Sequence, residues 1–552
     1  MEYSELVKVY EKLESTAKKL EKTSIIADLL ITLRDDEELR IVLALLQGKI
    51  YHESEEMQVG IANKMVIASL EKLGFSKKEV LAIFKDTGDL GLSAEKLVKK
   101  KRQMSLFSKT LSVEKVYDSM REMATHTGKS SQSRKQNILI ELLNFSGPNE
   151  AKYIIRTVLE ELRLGIAEGL IRDAIAKTYG ISPEVVEGAY NLKTDFGEVA
   201  VIAKDHGVEG LVDIKIELGT PIKVMLAEKS ENLEQALMDA EEPAIEVKYD
   251  GLRTLIEKKG DRIWIFTRRL ENVTKQFPDL VKLCKENITA ENAIVEGETI
   301  ALKNGKPAPF QELSKRIHRK YDIKDMSTEI PIQVNLFDCL LVEGRQIIDR
   351  PFHERRDALQ KIIRVQNGSF QLAEEIRTKD VSLAEDFYKK ALKEGQEGVM
   401  VKNLNKPYQA GKRVGNMYKV KPEKETLDVA ITGAQWGEGK RANWLSSFIL
   451  SIRDEETGEL LEIGKMGTGL TDEQFKEATD LLKPLIEFEK ENVVKLRPSV
   501  IIEVGYQEIQ KSPNYKSGFA LRFPKLIRFR DDKSLEDVDT LERLERLFKK
   551  RL

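Results

Sequence analysis

The sequence predicts a three-domain protein: an all-α domain over 1–213, an α+β domain over 214–422 and a small all-β barrel over 423–552. Two observations carry this reading. At 552 residues the chain far exceeds the ~100–200 residues typical of one domain. Its N-terminal stretch holds apolar side chains at helical spacing, and from residue 215 or so short runs rich in β-branched residues take over.

The elements follow in order. Leu6, Val9, Tyr10, Leu13, Ala17 and Leu20 predict one amphipathic helix, and residues 137–145 and 151–166 predict two more, punctuated by Ser146-Gly147-Pro148-Asn149. Residues 244–249, 262–267 and 332–342 read as strands, with hairpin turns at Lys258-Lys259-Gly260-Asp261 and Asn304-Gly305. Helices over 352–363 and 383–395 make this middle unit mixed. Beyond a boundary near Lys421-Pro422-Glu423, residues 427–436, 447–454, 459–467 and 499–509 read as short antiparallel strands of a small barrel. A helix over 535–552 closes the chain.

Composition narrows the classes. Lys+Arg total 90 against 92 Asp+Glu, a net charge of −2, so any nucleic-acid contact must come from local basic patches. Cys284 and Cys339 are too few for a disulfide framework or a four-thiolate zinc site. His52, His126, His206, His318 and His353 lack metal-ligand spacing. With no long apolar run and no signal-peptide core near Met1, an intracellular chain is expected, not a membrane one. Gly128-Lys129-Ser130 mimics the end of a phosphate-binding loop, but Met123 stands where its first glycine belongs.

The sharpest chemical signal is Glu246-Val247-Lys248-Tyr249-Asp250-Gly251-Leu252-Arg253. A lysine becomes a nucleophile by losing its proton, which neighbouring cations or desolvation promote. A strand end gives it a rigid mount, and Asp250-Gly251 allows a tight turn. A surface hairpin with a solvated lysine is the plain alternative. In order after it come 267-TRRLENVT-274, 295-VEGE-298, 337-FDCLLVEG-344, 397-EGVMVK-402, 418-YKVK-421 and 522-RFPKLIRFRDDK-533. This ordered set resembles the nucleotidyltransferase motifs of the ATP-dependent DNA ligases, in the arrangement of the archaeal and eukaryotic replicative branch.

The resemblance implies a helical DNA-binding domain, an adenylation domain and an OB-fold barrel that swings about a hinge near Pro422. It further implies ATP and Mg²⁺ as cofactors, nicked duplex DNA as partner, a monomer associated with the nucleoid in the cytoplasm, and roles in replication, repair and recombination as the cell divides. Lys248 would carry AMP. Glu246 would read the adenine amino group and Phe337 stack on the base, the alternatives being a strand carboxylate and a core aromatic. Glu298 and Glu397 would engage the ribose and hold Mg²⁺. Arg253, Arg268, Lys402, Lys419 and Lys421 would surround the phosphates, and Arg522, Arg528, Arg530 and Lys533 would meet the β- and γ-phosphates. Lys129, Ser130, Arg134 and Lys135 would hold DNA phosphates.

An RNA ligase or GTP-using capping enzyme is disfavoured by the long helical N-terminal domain, and an NAD-dependent ligase by the missing four-cysteine module. A non-catalytic scaffold that kept the fold is disfavoured because every reactive position is filled. Downstream of Lys99-Lys100-Lys101-Arg102, residues Gln103, Leu106 and Phe107 resemble a shortened sliding-clamp-binding peptide. The alternative is that Leu106 and Phe107 are core residues.

Overall fold

The computed structural model describes residues 1–549 apart from 53, 56, 58, 101–109, 129, 309, 318–326, 328, 423–424 and 491. It is a multidomain chain with a helical N-terminal region, a mixed middle and a C-terminal β domain. Its contacts divide into two units, Met1–Phe75 with Ala94–Lys421 and Ser76–Ser93 with Pro422–Leu552.

In the helical region the first helix, Tyr3–Ser15, buries Leu6, Tyr10 and Leu13 as the spacing predicts. It stops early, however. The backbone turns extended at Thr16 and a second helix starts at Lys19, so Ala17 and Leu20 leave the stripe and are exposed. The helix expected to reach residue 166 spans Pro148–Val158. Glu160 and Arg163 take left-handed φ angles of 59° and 58°, which a right-handed helix cannot continue through. Leu162 and Leu164 beyond the helix end are buried.

The middle segment builds two sheets. In the first, β1 (Leu226–Lys229), β12 (Arg413–Val420), β11 (Gly398–Asn403), β2 (Pro243–Lys248) and β10 (Glu375–Arg377) lie side by side in that order. In the second, β4 (Arg262–Thr267), β3 (Leu252–Lys259), β5 (Asn292–Lys303), β7 (Ile332–Val342) and β8 (Arg345–Gln346) run in order, with β6 (Lys306–Ala308) on β5 and β9 (Phe370–Leu372) on β7. The turns behave as predicted: Gly260 has φ 57°, and Asn304 and Gly305 have 54° and 75°, the left-handed pair that a tight hairpin requires.

Register decides what faces the site. Residues opposite one another in antiparallel neighbours point to the same face. Glu375, Glu246, Met400 and Lys419 form one such row across β10, β2, β11 and β12, and Lys248 stands opposite Gly398 on the same face. The reverse face carries Ile245, Val247, Val399, Val401 and Val420, which pack on the helices Leu233–Asp239 and Val381–Lys393. In the second sheet Arg253 stands opposite Glu298 and Leu255 opposite Glu296. Leu255, Phe266 and Ile294 of that sheet pack with Met400 and Met417 of the first. The two polar faces therefore meet over a shared apolar floor. Behind the second sheet, Ile256, Val295 and Leu336 pack on Leu280 and Leu359 of the helices Pro278–Asn287 and Phe352–Ile362.

One group on the second sheet's inner face stands outside the site. Glu257 is fully buried; its Oε2 accepts from Gly219 N at 2.6 Å and its Oε1 has no hydrogen-bond partner. Burial pushes its carboxyl up to about 8, against the pull of the Gly219 N–H. A carboxyl raised on folding stabilises the fold below the ordinary carboxylate range, and that contribution is lost as pH rises towards 8. The variant Glu257→Gln is expected to gain on the wild type by up to roughly 1.4 kcal/mol per pH unit across that window. Thermal unfolding at pH 5, 7 and 9 checks this, and a difference independent of pH would refute it.

The C-terminal domain is built on β13 (Thr426–Trp436), β14 (Leu445–Arg453), β15 (Leu460–Met466), β16 (Ile486–Lys490), β17 (Val493–Leu496), β18 (Ile501–Gly505) and β21 (Lys525–Phe529), with β19 (Glu508–Lys511) and β20 (Phe519–Arg522) as a separate hairpin. The strand expected over 499–509 is thus two, broken at Tyr506-Gln507. The long β13 is shared, pairing with β18 over Thr426–Ala430 and with β17 over Gly433–Gln435. Phe448, Phe475, Ile502 and Leu544 are among its core residues. Among the described residues the pairings leave this sheet open, because β20 pairs only with β19. The terminal helix begins at Leu541, not 535, since Asp539 N donates to Asp428 O and Asp539 O accepts from Arg453 N, which holds that stretch extended against the sheet. Among the described residues no helix is long and apolar enough to cross a membrane.

Candidate active site

Lys248 ends β2. The corner after it leans on β5, where a Cβ at Gly251 would meet Thr299 O at 2.4 Å. Close approach, not a left-handed φ, is what requires glycine there. Gly398, opposite Lys248, has φ 141°, and a Cβ on it would meet Val420 O at 2.2 Å. This contact draws the start of β11 and the end of β12 together, and with them Glu397 and Lys421.

Glu397 N donates to Lys248 O at 2.9 Å, and Glu397 Oε2 lies 2.5 Å from Lys248 Nζ. The same oxygen pairs with Lys421 Nζ. Burial raises the Glu397 carboxyl, but the two ammonium groups outweigh it and hold the pKa at about 2. Lys421 is lowered, by burial first and by repulsion from Lys248 second. Glu298 goes the other way. Burial pushes it up to about 7; Lys248 and Arg253 pull it down, while Glu397 and Asp250 add to the rise. Glu298 therefore feels both the acids Glu397 and Asp250 and the cations Lys248 and Arg253.

A second polar cluster lies on β2, β11 and β7. Glu246 is 2 % exposed, its Oε2 is 2.5 Å from Lys402 Nζ, and its Oε1 has no hydrogen-bond partner. Burial raises its carboxyl against the pull of Lys402 and Arg356. Phe337 is half-buried, with Lys402 Nζ 4.5 Å and Arg253 Cζ 5.5 Å from its ring centre. The register shifts at Glu296/Gly297, so Asp338 and Leu336 have partners across the ladder and Phe337 is the extra residue. Such a bulge re-aims a side chain, so Phe337 is not the buried core aromatic that strand alternation allows.

Other expected residues sit differently. Arg253 gives Nη2 to Glu296 Oε2 at 2.8 Å and Nη1 to Met225 O at 2.7 Å, while its buried Nε has no hydrogen-bond partner. Lys402 is likewise drawn to Glu246. Arg268 is exposed in the turn after β4, and Lys419 is half-buried in the Glu246 row. In the C-terminal domain Arg530 Nη1 and Lys533 Nζ share Asp428, at 3.0 Å and 2.6 Å. Arg528 pairs with Glu503 at 2.7 Å and Arg522 with Glu508 at 3.3 Å. In the helical region Ser130 takes φ 72° ahead of the helix Ser131–Phe145, and Arg134 is exposed. Lys135 departs from expectation: it is buried, and its ammonium donates to Val59 O at 2.7 Å. Lys129, Gln103, Leu106 and Phe107 lie outside the described residues.

The family model "ATP dependent DNA ligase domain" matches residues 224–421, "DNA ligase N terminus" residues 2–176, and "ATP dependent DNA ligase C terminal region" residues 441–533. A DNA ligase of Nanoarchaeum equitans is 44% identical over 99% of this chain and 98% of its own length. One of Thermococcus fumicolans is 45% identical over 99% and 98%. The chain belongs to the ATP-dependent DNA ligases. Among solved structures "Pmar-Lig_PreS3" has a TM-score of 0.60 over 95% of this chain and 99% of that one, at 18% identity, a likeness of fold alone.

In this ligase several site residues escaped the sequence reading. Glu296 is fully buried under Arg253; its spacing of two from Glu298 on one strand was the available signal. Arg355 and Arg356 lie on the buried stripe of the helix Phe352–Ile362, with Phe352, Leu359 and Ile362. Two arginines on an apolar stripe signal buried partners. Arg355 finds Asp338, at 2.8 and 2.9 Å.

Proposed function

We propose that Lys248 is the nucleophile of a three-step joining of nicked duplex DNA. Lys248 Nζ, stripped of a proton, attacks the α-phosphorus of ATP; an N–P bond forms and the bond to pyrophosphate breaks. The 5′-phosphate of the nick then attacks the same phosphorus, releasing Lys248. The 3′-hydroxyl finally attacks the activated 5′-phosphorus, AMP leaves, and the backbone is continuous. The observation that carries this is the shared Glu397 oxygen between Lys248 and Lys421 at the end of β2. It fixes the lysine, and its second ammonium neutralises charge on a transferring phosphate.

Glu246 is the adenine reader, because its buried Oε1 lacks the donor that an amino group supplies. Phe337 stacks on the base, and Arg253 serves the nucleotide through that ring. Arg268, Lys402, Lys419 and Lys421 supply positive charge along the nucleotide. Glu298 and Glu397 are the candidate hard-oxygen ligands for Mg²⁺, the usual metal of the family; among the described residues no third His, Cys, Asp or Glu joins them in a ready-made metal cluster. Bound Mg²⁺ supplies charge neutralisation at the phosphates. Arg530 and Lys533, now on Asp428, are the candidates for the pyrophosphate oxygens.

The domain assignment follows the same reading: DNA binding by 1–213, adenylation by 214–422 and an OB-fold by 423–552, in a monomer at the nucleoid. Lys129, Ser130 and Arg134 are candidates for DNA phosphates, whereas the Lys135 ammonium is buried against Val59 O. Gln103, Leu106 and Phe107 remain the candidate clamp-binding segment. Incubation with α-labelled ATP is expected to leave label on the denatured protein that acid removes and alkali does not, as a phosphoramidate requires. Acid-stable label would overturn the lysyl adenylate.

A further inference from the structure

We propose that Glu375 sets the nucleobase selectivity of this ligase by holding Arg356 away from Glu246; the proposal rests on Glu246 as the base reader. Glu375 stands directly opposite Glu246 in the β10–β2 pair, on the face that bears the site. Two carboxylates so placed repel unless a cation lies between them. Arg356 is that cation. It is 2 % exposed, and its Nη1 and Nη2 donate to Leu336 O at 2.8 Å and Ala373 O at 2.6 Å. With those bonds the guanidinium sits between the two acids, 3.8 Å from Glu246 Oε1 and 3.5 Å from Glu375 Oε2.

Neither contact is a hydrogen bond. Glu246 Oε1, Glu375 Oε2 and Arg356 Nε are all buried without a hydrogen-bond partner. The remaining oxygens are committed, Glu246 Oε2 to Lys402 at 2.5 Å and Glu375 Oε1 to Arg377 at 2.7 Å. Each acid therefore keeps one open acceptor beside a shared arginine. An unsatisfied buried acceptor awaits a donor, and adenine's exocyclic amino group is one. A purine with a carbonyl at that position would instead set a lone pair against Glu246 Oε1. Such a base would gain if Arg356 closed on Glu246 and offered its own N–H groups. Glu375 opposes that closure by pulling Arg356 the other way, so it favours amino purines while touching no base. It is a positioning residue.

The test compares initial rates of self-adenylation with ATP and with inosine triphosphate, which differ at that position. For Glu375→Gln the KM for ATP is expected to rise about tenfold with little change for inosine triphosphate, so the preference falls about tenfold. Sealing of a pre-adenylated nick and the kcat of self-adenylation should stay near wild type. Glu375→Asp, which only retracts the carboxylate, should shift the preference in the same direction by less, and it serves if the glutamine variant folds poorly. An unchanged preference in both variants overturns the proposal. Glu246→Gln separates the two readings: if it too leaves the preference unchanged, Glu246 is not the reader, whereas a collapse there with none at Glu375 sinks this proposal alone. A merely structural Glu375 would lower the unfolding temperature and all three activities together.

Discussion

Lys248→Ala is expected to abolish self-adenylation, a loss of roughly 10⁴-fold or more, because the variant has no group at that position to form the phosphoramidate. Overall sealing from ATP should fall with it. Sealing of a nick already carrying AMP should fall far less, since that step forms no bond to lysine. The competitor is internal: Lys421 Nζ shares the Glu397 oxygen with Lys248, and burial lowers its pKa. A label retained by Lys248→Ala and lost in Lys421→Ala would move the nucleophile two strands over, to the end of β12. Mapping the label to the peptide around Lys248 in the wild type gives the same answer without substitution.

How much of this was legible depends on whether a residue's role lies in its own segment. The strand that ends at Lys248, the turns at Gly260 and Asn304-Gly305, and the helix Phe352–Ile362 could be read from period and turn chemistry, because those signals are local. The stop after Ser15 could not, because apolar spacing continues through Ala17 and Leu20 while the chain turns extended. Phe337 shows the same limit on a strand. Alternation assigned it to one face or the other, and only the bulge opposite Glu296 and Gly297 settles which way its ring is aimed.

Charged residues were harder still. Sequence marks a lysine or arginine as a cation but not what it meets. Arg253 meets Glu296, Lys402 meets Glu246, and Lys135 meets a backbone carbonyl in the helical region. Glu375 carries no local signal, because its place opposite Glu246 comes from register across a ladder that joins segments far apart in the chain. Arg530 and Lys533 converge on Asp428, a residue on another strand of the same domain. Their service to ATP would require them to exchange that carboxylate for phosphate oxygens, an exchange of like partners that costs little beyond reorganisation.

Glu397→Ala should reduce self-adenylation by about 10²–10³-fold, the scale of losing an electrostatic group at the reacting centre. Glu397 does two things that alanine cannot. It neutralises the Lys248 and Lys421 ammonium groups on one oxygen, and its carboxyl, held at about 2, stays ionised throughout the working pH range. Without it the two ammoniums face each other with no carboxylate between them. Extra positive charge would attract the phosphates of ATP, so KM for ATP should hold or fall while kcat collapses. With one candidate hard-oxygen ligand gone, the Mg²⁺ concentration for half-maximal labelling should rise. Glu397→Gln keeps the size and loses the charge, and it should be nearly as impaired. A glutamine variant close to wild type would show that shape and hydrogen bonding suffice. Binding of nicked DNA is expected to persist in both variants, because the substitution lies in the middle segment and leaves the helical region untouched. A parallel loss of DNA binding and of unfolding temperature would instead mean that Glu397 holds β11 in place beside Gly398, and that its role is structural.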